Sequence, residues 1–344
     1  MQAKRTQIDL IAFAVSTPVT IILAITGFGA WSLAWGAIVG NLVTGALSLL
    51  WAPERYWPGF DRKVAGELLR FSLPLAAASL LLLALVNVDF VVVGRMLGTA
   101  ELGLYLLAFN LSTWPMTLVS SVVRRVTTPL FAQMHQRGDG ESGFRRAVFL
   151  VMAPAVLLCT LLAVYSNGIV LFVYGEKWQA AAVAVPALAL LSLGRMIVEL
   201  AYDYLVAVGR TVGNTWLHGI WLVLLVPALV VGAAIDGIRG VSIAHAAVVV
   251  CVVVPGVALL LHSSGLRLRV VFGDLYLAVF GAAAVIASAW AVSAVVPEGF
   301  LRLALGGLIG TAIYAAILAK RFRRTLSEVR VQPAPKTEAS QLAI

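Results

Sequence analysis

Ten mostly apolar runs, each long enough to cross a bilayer, follow one another along this chain and constrain its fold more than any other feature. A helix needs about 20 apolar residues to cross the hydrocarbon core. Charged residues make up only 12% of the 344 residues, and the mean hydropathy is +0.97, whereas soluble domains carry about 25% charged residues. The sequence therefore predicts an all-α, polytopic integral membrane protein. The predicted spans are Ile8–Thr26, Ala30–Trp51, Phe71–Val93, Leu102–Val123, Ala147–Tyr165, Ala181–Val206, Thr215–Ala234, Val241–Leu261, Leu275–Val296 and Leu301–Ala319.

The distribution of Lys and Arg predicts the orientation of these spans. Twenty of the 25 basic residues lie at the two termini and in the even-numbered loops, and only Arg95, Lys177, Arg239 and Arg302 lie in the odd-numbered loops. Because loops rich in Lys and Arg stay in the cytoplasm, both termini are predicted to be cytoplasmic. The net charge of +9 is thus explained by topology, and nucleic acid is not an expected partner.

The sixth span carries three ionisable side chains, Arg195, Glu199 and Asp203, four residues apart. At this spacing they share one face of a helix. Each charge near a helix centre costs about 2.5–3.5 kcal/mol on insertion scales, so this face is predicted to border a cavity lined by protein or water. In a second interpretation Arg195 pairs with Glu199 within the helix, and Asp203 lies toward the cytoplasmic surface.

Polar residues also occur in the third and fourth spans. Asp89 lies near the outer end of the third span and Arg95 just beyond it, while Asn110 precedes Pro115 in the fourth. Asp89 is either a titratable carboxylate at a cavity mouth or a group satisfied by a neighbouring helix or interfacial water. The substrate-binding hypothesis comprises Arg195, Arg95 and Asn110, and the coupling-ion hypothesis comprises Glu199, Asp203 and Asp89.

Motifs for catalysis and cofactors are missing from the sequence. Cys159 and Cys251 lie in apolar stretches, the four histidines form no metal-binding motif, and no Walker A sequence occurs. No cofactor, metal or enzymatic activity is therefore expected.

Several motifs, in order and spacing, resemble those of a known family. They are GFGAWSLAWG at residues 27–36, Asn87-x-Asp89, Gly94-Arg95-x-Leu97-Gly98, Leu102-Gly103-x-Tyr105, Pro129-x-Phe131 and YGEKW at residues 174–178. The chain down to about residue 260 resembles the polysaccharide biosynthesis (Wzx-type) oligosaccharide flippases of the multidrug/oligosaccharidyl-lipid/polysaccharide exporter superfamily.

This resemblance implies two pseudo-symmetric lobes around a cationic cavity that opens alternately to either side. It implies transport of undecaprenyl-diphosphate-linked oligosaccharide across the bacterial cytoplasmic membrane, from the cytoplasmic to the periplasmic leaflet. It carries over no catalytic residues. The expected partners are the lipid-linked oligosaccharide, membrane lipids and polysaccharide assembly proteins.

The family usually has twelve to fourteen helices, whereas two precede Phe71 here, so about four N-terminal helices are expected to be missing through a truncated or broken gene. The predicted organisation comprises two helices of an N-terminal lobe at 1–52, a basic cytoplasmic linker at 53–70, a full lobe of about eight helices at 71–319, and a basic, then disordered, tail at 320–344.

Two other functions stay open at this point. A cation-coupled multidrug exporter of the same superfamily would use an acidic cavity, for which Glu199, Asp203 and Asp89 are candidates. A membrane polysaccharide polymerase or glycosyltransferase would need a sizeable external loop with paired polar or charged residues, and the sequence predicts none.

Overall fold

The computed structural model describes residues 2–51, 62–137, 140–208, 212–271, 273–297 and 299–330. These residues form helices and short turns, with no β-strand among them. The helices divide into two compact units, Met1–Ser72 and Leu73–Ile344.

The first unit is built around a helical hairpin of α1 (Gln2–Ile25) and α2 (Trp31–Leu50). The connecting turn has positive φ angles at Gly27 (90°) and Gly29 (54°), a conformation that glycine adopts without steric penalty. Gly36 and Gly40 of α2 face Ser16 and Thr20 of α1, where a Cβ atom on Gly36 would overlap the Thr20 hydroxyl. Such small-residue contacts let helix backbones approach closely within a membrane.

The second unit begins within α3 and contains the remaining helices. They are α3 (Arg62–Met96), α4 (Thr99–Arg137), α5 (Gly140–Val164), α6 (Ser166–Tyr174), a 3₁₀-helix (Glu176–Val183), α7 (Val185–Ala207), α8 (Val212–Val248), a π-helix (Val249–Val253), α9 (Val254–Ser263), α10 (Leu268–Val271), α11 (Leu275–Val295) and α12 (Phe300–Arg330). α7 packs against α4, α5, α8 and α9 and buries much of its surface, including Leu188, Leu191 and Met196. The sixth span therefore lies in the interior of this unit.

A sharp reversal divides α8 into two membrane crossings. Asp236 and Gly237 have non-helical angles, with φ at Gly237 of 52°. On either side of this point the backbones of Gly232 and Gly240 are in contact, so a Cβ atom on either glycine would overlap the other's carbonyl group. The apolar stretch Thr215–Ser263, 49 residues long, thus supplies two crossings.

The prediction of an all-α polytopic membrane protein is confirmed. Nine stretches of the described chain are long and apolar enough to cross a membrane, and the reversal in α8 raises the number of crossings to ten. Two helices of the structure have bounds that differ from the predicted ones. The sixth span begins at Val185 rather than Ala181, because a 3₁₀-helix precedes it and Pro186 occupies its first turn. In addition, α12 continues past Lys320 to Arg330, so the first part of the predicted tail is helical.

The predicted linker at 53–70 lies largely outside the described residues, apart from the start of α3 at Arg62. The predicted disorder of the C-terminal tail concerns residues 331–344, which also lie outside the described residues. The assignment of the units to family lobes stays a prediction.

Candidate functional site: a charged cavity beside α7

Arg195 and Glu199, one turn apart on α7, both line a cavity of about 380 Å³ within the second unit. Its apolar walls come mainly from α3 and α4, and most of its polar side chains come from α7 and α8. The lining residues are Leu81, Leu85, Val86, Met116, Arg195, Val198, Glu199, Tyr202, Thr215, His218 and Trp221. A cation and a carboxylate therefore face the same partly open cavity within the apolar part of the chain.

Asp203 is half-buried one turn further along α7 and does not line this cavity. Arg95 is exposed in the last turn of α3, and Asn110 is exposed on α4. Neither side chain belongs to the walls of the cavity. The structure thus brings together two of the six predicted site residues at this cavity, and the roles assigned to all six stay predictions.

Asp89 lies in a buried contact between helices rather than in the cavity wall. Its side chain is fully buried, and its Oδ2 atom accepts a 3.0 Å hydrogen bond from the Tyr105 hydroxyl of α4. Its Oδ1 atom accepts a 2.9 Å hydrogen bond from the backbone N–H of Phe90. The Nδ1 atom of His245 on α8 lies 3.5 Å from Oδ2. This geometry matches the interpretation in which a neighbouring helix satisfies the carboxylate.

Asp89, Tyr105 and His245 form a buried group, the Asp89 cluster. Arg195 links this cluster to the cavity. Its charge interacts electrostatically with both Asp89 and Tyr105. Its guanidinium carbon lies 5.8 Å from the centre of the Phe109 ring, within the range of a cation–π interaction. The guanidinium thus lies against an aromatic ring, interacts with a buried carboxylate and borders the cavity.

Trp221 and two histidines of α8 also connect the cavity to the Asp89 cluster. His218 and Trp221 line the cavity, and His245 lies beside Asp89. Trp221 lies between His218 and His245, with ring centres 6.0 and 6.5 Å away. Trp221 is only 4% exposed, and its indole Nε1 atom has no hydrogen-bond acceptor among the described residues. A buried indole N–H without an acceptor is uncommon, and this one belongs to a residue of the cavity wall.

Two close contacts hold α7 in place beside the site. Ser192 donates a 2.8 Å hydrogen bond to the carbonyl of Ser112 on α4. Gly194 faces the π-helix, where a Cβ atom would lie 2.5 Å from Val249. π-helical turns often occur near functional sites, and this one begins four residues after His245.

Tyr105, His218, Trp221 and His245 were not among the predicted site residues. Tyr105 appeared only as part of a family-like motif, and the two histidines only among the four that form no metal-binding motif. Their grouping depends on the packing of α3, α4 and α8 against α7, which no spacing in the sequence encodes.

The fold and this site define a polytopic helical membrane protein whose apolar interior contains a charged cavity. The sequence profile of the family described as "Polysaccharide biosynthesis protein" matches residues 1–183. Because this match covers more than half of the 344 residues, the chain belongs to the polysaccharide biosynthesis protein family.

Similar proteins include the lipopolysaccharide biosynthesis protein WzxC of Escherichia coli K12, 30% identical over 62% of this chain and 45% of WzxC. The succinoglycan biosynthesis transport protein ExoT of Rhizobium meliloti is 30% identical over 71% of this chain and 49% of ExoT. The teichuronic acid biosynthesis protein TuaB of Bacillus subtilis is 29% identical over 71% of this chain and 51% of TuaB. The chain spans about half the length of these relatives.

A solved structure of the lipid II flippase MurJ, in an inward closed conformation, superposes with a TM-score of 0.74. The superposition covers 92% of this chain and 67% of MurJ at 16% sequence identity. At this identity the likeness concerns the fold alone.

Proposed function

We propose that the chain takes part in moving an undecaprenyl-diphosphate-linked oligosaccharide across the bacterial cytoplasmic membrane, and that it acts as a transporter rather than an enzyme. The observation that carries this proposal is the position of Arg195 in the wall of a cavity within the apolar interior. A guanidinium donates paired hydrogen bonds to phosphate oxygens and stays charged when partly buried. The names of WzxC and ExoT, and the fold shared with MurJ, support the same process.

The size of the cavity limits what it can hold at one time. Pockets for drug-sized ligands occupy about 300–1,000 Å³, and this one measures about 380 Å³. A lipid carrying several sugars is larger, so the proposal assigns the cavity to the diphosphate region of the substrate. Assembly proteins of the polysaccharide pathway are proposed as further partners.

A cation-coupled multidrug exporter is the second candidate, and Glu199 is the observation that favours it. The carboxylate shares the cavity wall with Arg195 and can bind a proton or cation there. The two candidates differ in cargo, so the chemical nature of the transported molecule distinguishes them.

The test replaces Arg195 with Ala or Lys in the chromosomal gene of the host. Arg195→Ala should reduce surface polysaccharide at least about tenfold, the effect of losing one charge-assisted hydrogen bond, and lipid-linked oligosaccharide should accumulate. Arg195→Lys should restore part of the export. The matched control is Arg239→Ala, which removes an arginine that is 61% exposed. Normal export by a membrane-inserted Arg195→Ala protein would exclude Arg195 from the mechanism.

A further inference from the structure

A second cavity, of about 530 Å³, lies in the second unit where α5 ends and α6 begins, and where α11 ends and α12 begins. It shares no lining residue with the Arg195 cavity. These helix ends belong to loops that carry few basic residues, so by the predicted orientation the cavity faces the outer side of the membrane.

Three uncharged polar side chains line this cavity. They are Asn167 of α6, Gln179 of the 3₁₀-helix and Ser293 of α11. Asn167 and Gln179 are exposed, so their amide groups are accessible to a ligand. Ser293 donates a 2.7 Å hydrogen bond to the carbonyl of Trp290, and its oxygen can still accept one. The cavity therefore offers both donors and acceptors, because a side-chain amide is both at once.

Exposed aromatic rings line the same cavity. Trp290, Phe172 and Phe300 are 80%, 66% and 64% exposed. The rings of Phe172 and Phe300 contact each other, with centres 5.1 Å apart and planes inclined by 32°. Aromatic side chains offer a large apolar contact area and lose little conformational entropy when a ligand packs on them. The rings thus supply flat apolar surfaces beside the accessible amides.

This combination of groups matches a saccharide. A sugar ring presents C–H groups on its faces and hydroxyls around its edge, and each hydroxyl both donates and accepts hydrogen bonds, as an amide does. An acyl chain leaves the amides without partners. Glu176 and Lys177 are exposed in the same 3₁₀-helix as Gln179, which indicates that this wall faces water. Arg302 also lines the cavity, but its charge already acts on the buried Tyr165 hydroxyl, so the site is not assigned to an anion.

We propose that this cavity binds the oligosaccharide of the cargo on the outer side of the membrane, with a sugar ring against Trp290 and hydroxyls bonded to Asn167 and Gln179. Pockets of about 300–1,000 Å³ hold drug-sized ligands, so this one has room for a short saccharide rather than a polymer. The proposal rests on the function proposed above, since transport brings the oligosaccharide to this face.

The experiment measures the binding of free oligosaccharide separately from export. The full chain, in nanodiscs of deuterated lipid, is mixed with oligosaccharide repeats released from the host's surface polysaccharide by partial acid hydrolysis, and saturation-transfer-difference NMR gives the Kd. Trp290→Ala should raise the Kd about tenfold, and Asn167→Ala and Gln179→Ala about threefold to tenfold each. The matched controls, Trp216→Ala and Gln7→Ala, remove exposed side chains that do not line the cavity and should leave the Kd unchanged.

Two results would overturn the proposal. One is the absence of saturation transfer to millimolar oligosaccharide in the wild type, and the other is an equal Kd in Trp290→Ala and Trp216→Ala. The three cavity variants alter exposed side chains on three different elements, so two remain decisive if one does not fold.

Arg195→Ala separates this proposal from the function on which it rests. Normal oligosaccharide binding by an Arg195→Ala protein that no longer exports supports both proposals. Normal export by Arg195→Ala, together with weakened binding in Trp290→Ala, overturns the role of Arg195 and leaves the saccharide site standing. Loss of binding in Arg195→Ala but in none of the cavity variants places the sugar in the Arg195 cavity and overturns the present proposal alone.

Discussion

The hydroxyl of Tyr105 donates a 3.0 Å hydrogen bond to the carboxylate of Asp89, and both side chains are fully buried. The bond joins α3 to α4 close to the turn that connects them. A carboxylate in an apolar interior requires donors or nearby positive charge. Here the donors are the Tyr105 hydroxyl and the Phe90 N–H, and the cation that acts on Asp89 is Arg195. The geometry of the cavity wall at Arg195 thus depends on a cluster that is itself closed to solvent.

Removing the Tyr105 hydroxyl should destabilise the protein. Tyr105→Phe leaves Asp89 with one donor fewer in a buried site, which costs about 1.5–3 kcal/mol for a hydrogen bond to a charged group. The free energy of unfolding can be measured by SDS titration in mixed micelles, followed by circular dichroism. Tyr276→Phe is the matched control, because Tyr276 is 66% exposed. Equal stability of the two variants would show that the Tyr105 bond contributes nothing.

Asp89 and His245 should be energetically coupled. The His245 Nδ1 atom is buried 3.5 Å from Asp89 Oδ2 and has no hydrogen bond to another described group. A double-mutant cycle of Asp89→Asn and His245→Gln should give a coupling energy of about 0.5–3 kcal/mol, the range for residues in contact. The same cycle with Asp89→Asn and His262→Gln, on an exposed histidine, should be additive. Additivity in both cycles would mean that His245 is only a neighbour of Asp89.

Hydropathy and helical periodicity were sufficient to predict the crossings and the shared face of Arg195 and Glu199. Both features depend on local sequence, because apolar length determines a span and a spacing of four residues determines a helix face. The reversal at Asp236–Gly237 fell between two predicted spans for the same reason. These parts of the fold required no knowledge of which helices are neighbours.

The burial of Asp89 and the position of Trp221 could not be predicted without knowing which helices are neighbours. Asp89 meets Tyr105 and His245 only after α3, α4 and α8 have packed together, and α8 lies far from α3 and α4 along the chain. The π-helix after His245 has no signature in residue type, since VVCVV fits an ordinary helix equally well. The sequence therefore identifies the charged residues but does not determine which of them face the cavity.

Glu199 should govern any dependence of transport on a proton gradient. Glu199→Gln keeps the shape of the side chain but cannot take up or release a proton, so transport in vesicles should lose its response to an imposed pH gradient. Glu176→Gln is the matched control, because Glu176 is exposed in the 3₁₀-helix outside the cavity. An unchanged gradient response in Glu199→Gln would exclude proton coupling at this residue.

Substitution by Ala should lower the stability of the protein at one glycine of α8 but not at another. A Cβ atom on Gly232 would overlap the backbone of Gly240 across the reversal, and backbone atoms there cannot move aside without opening the hairpin. Gly232→Ala should therefore destabilise the protein by about 1–3 kcal/mol, as overpacking does. Gly219 has open space around its Cβ position, so Gly219→Ala should be neutral or stabilising by up to about 1 kcal/mol through helix propensity. The SDS titration described above measures both variants, and a Gly232→Ala protein as stable as Gly219→Ala would contradict the close approach of the two crossings.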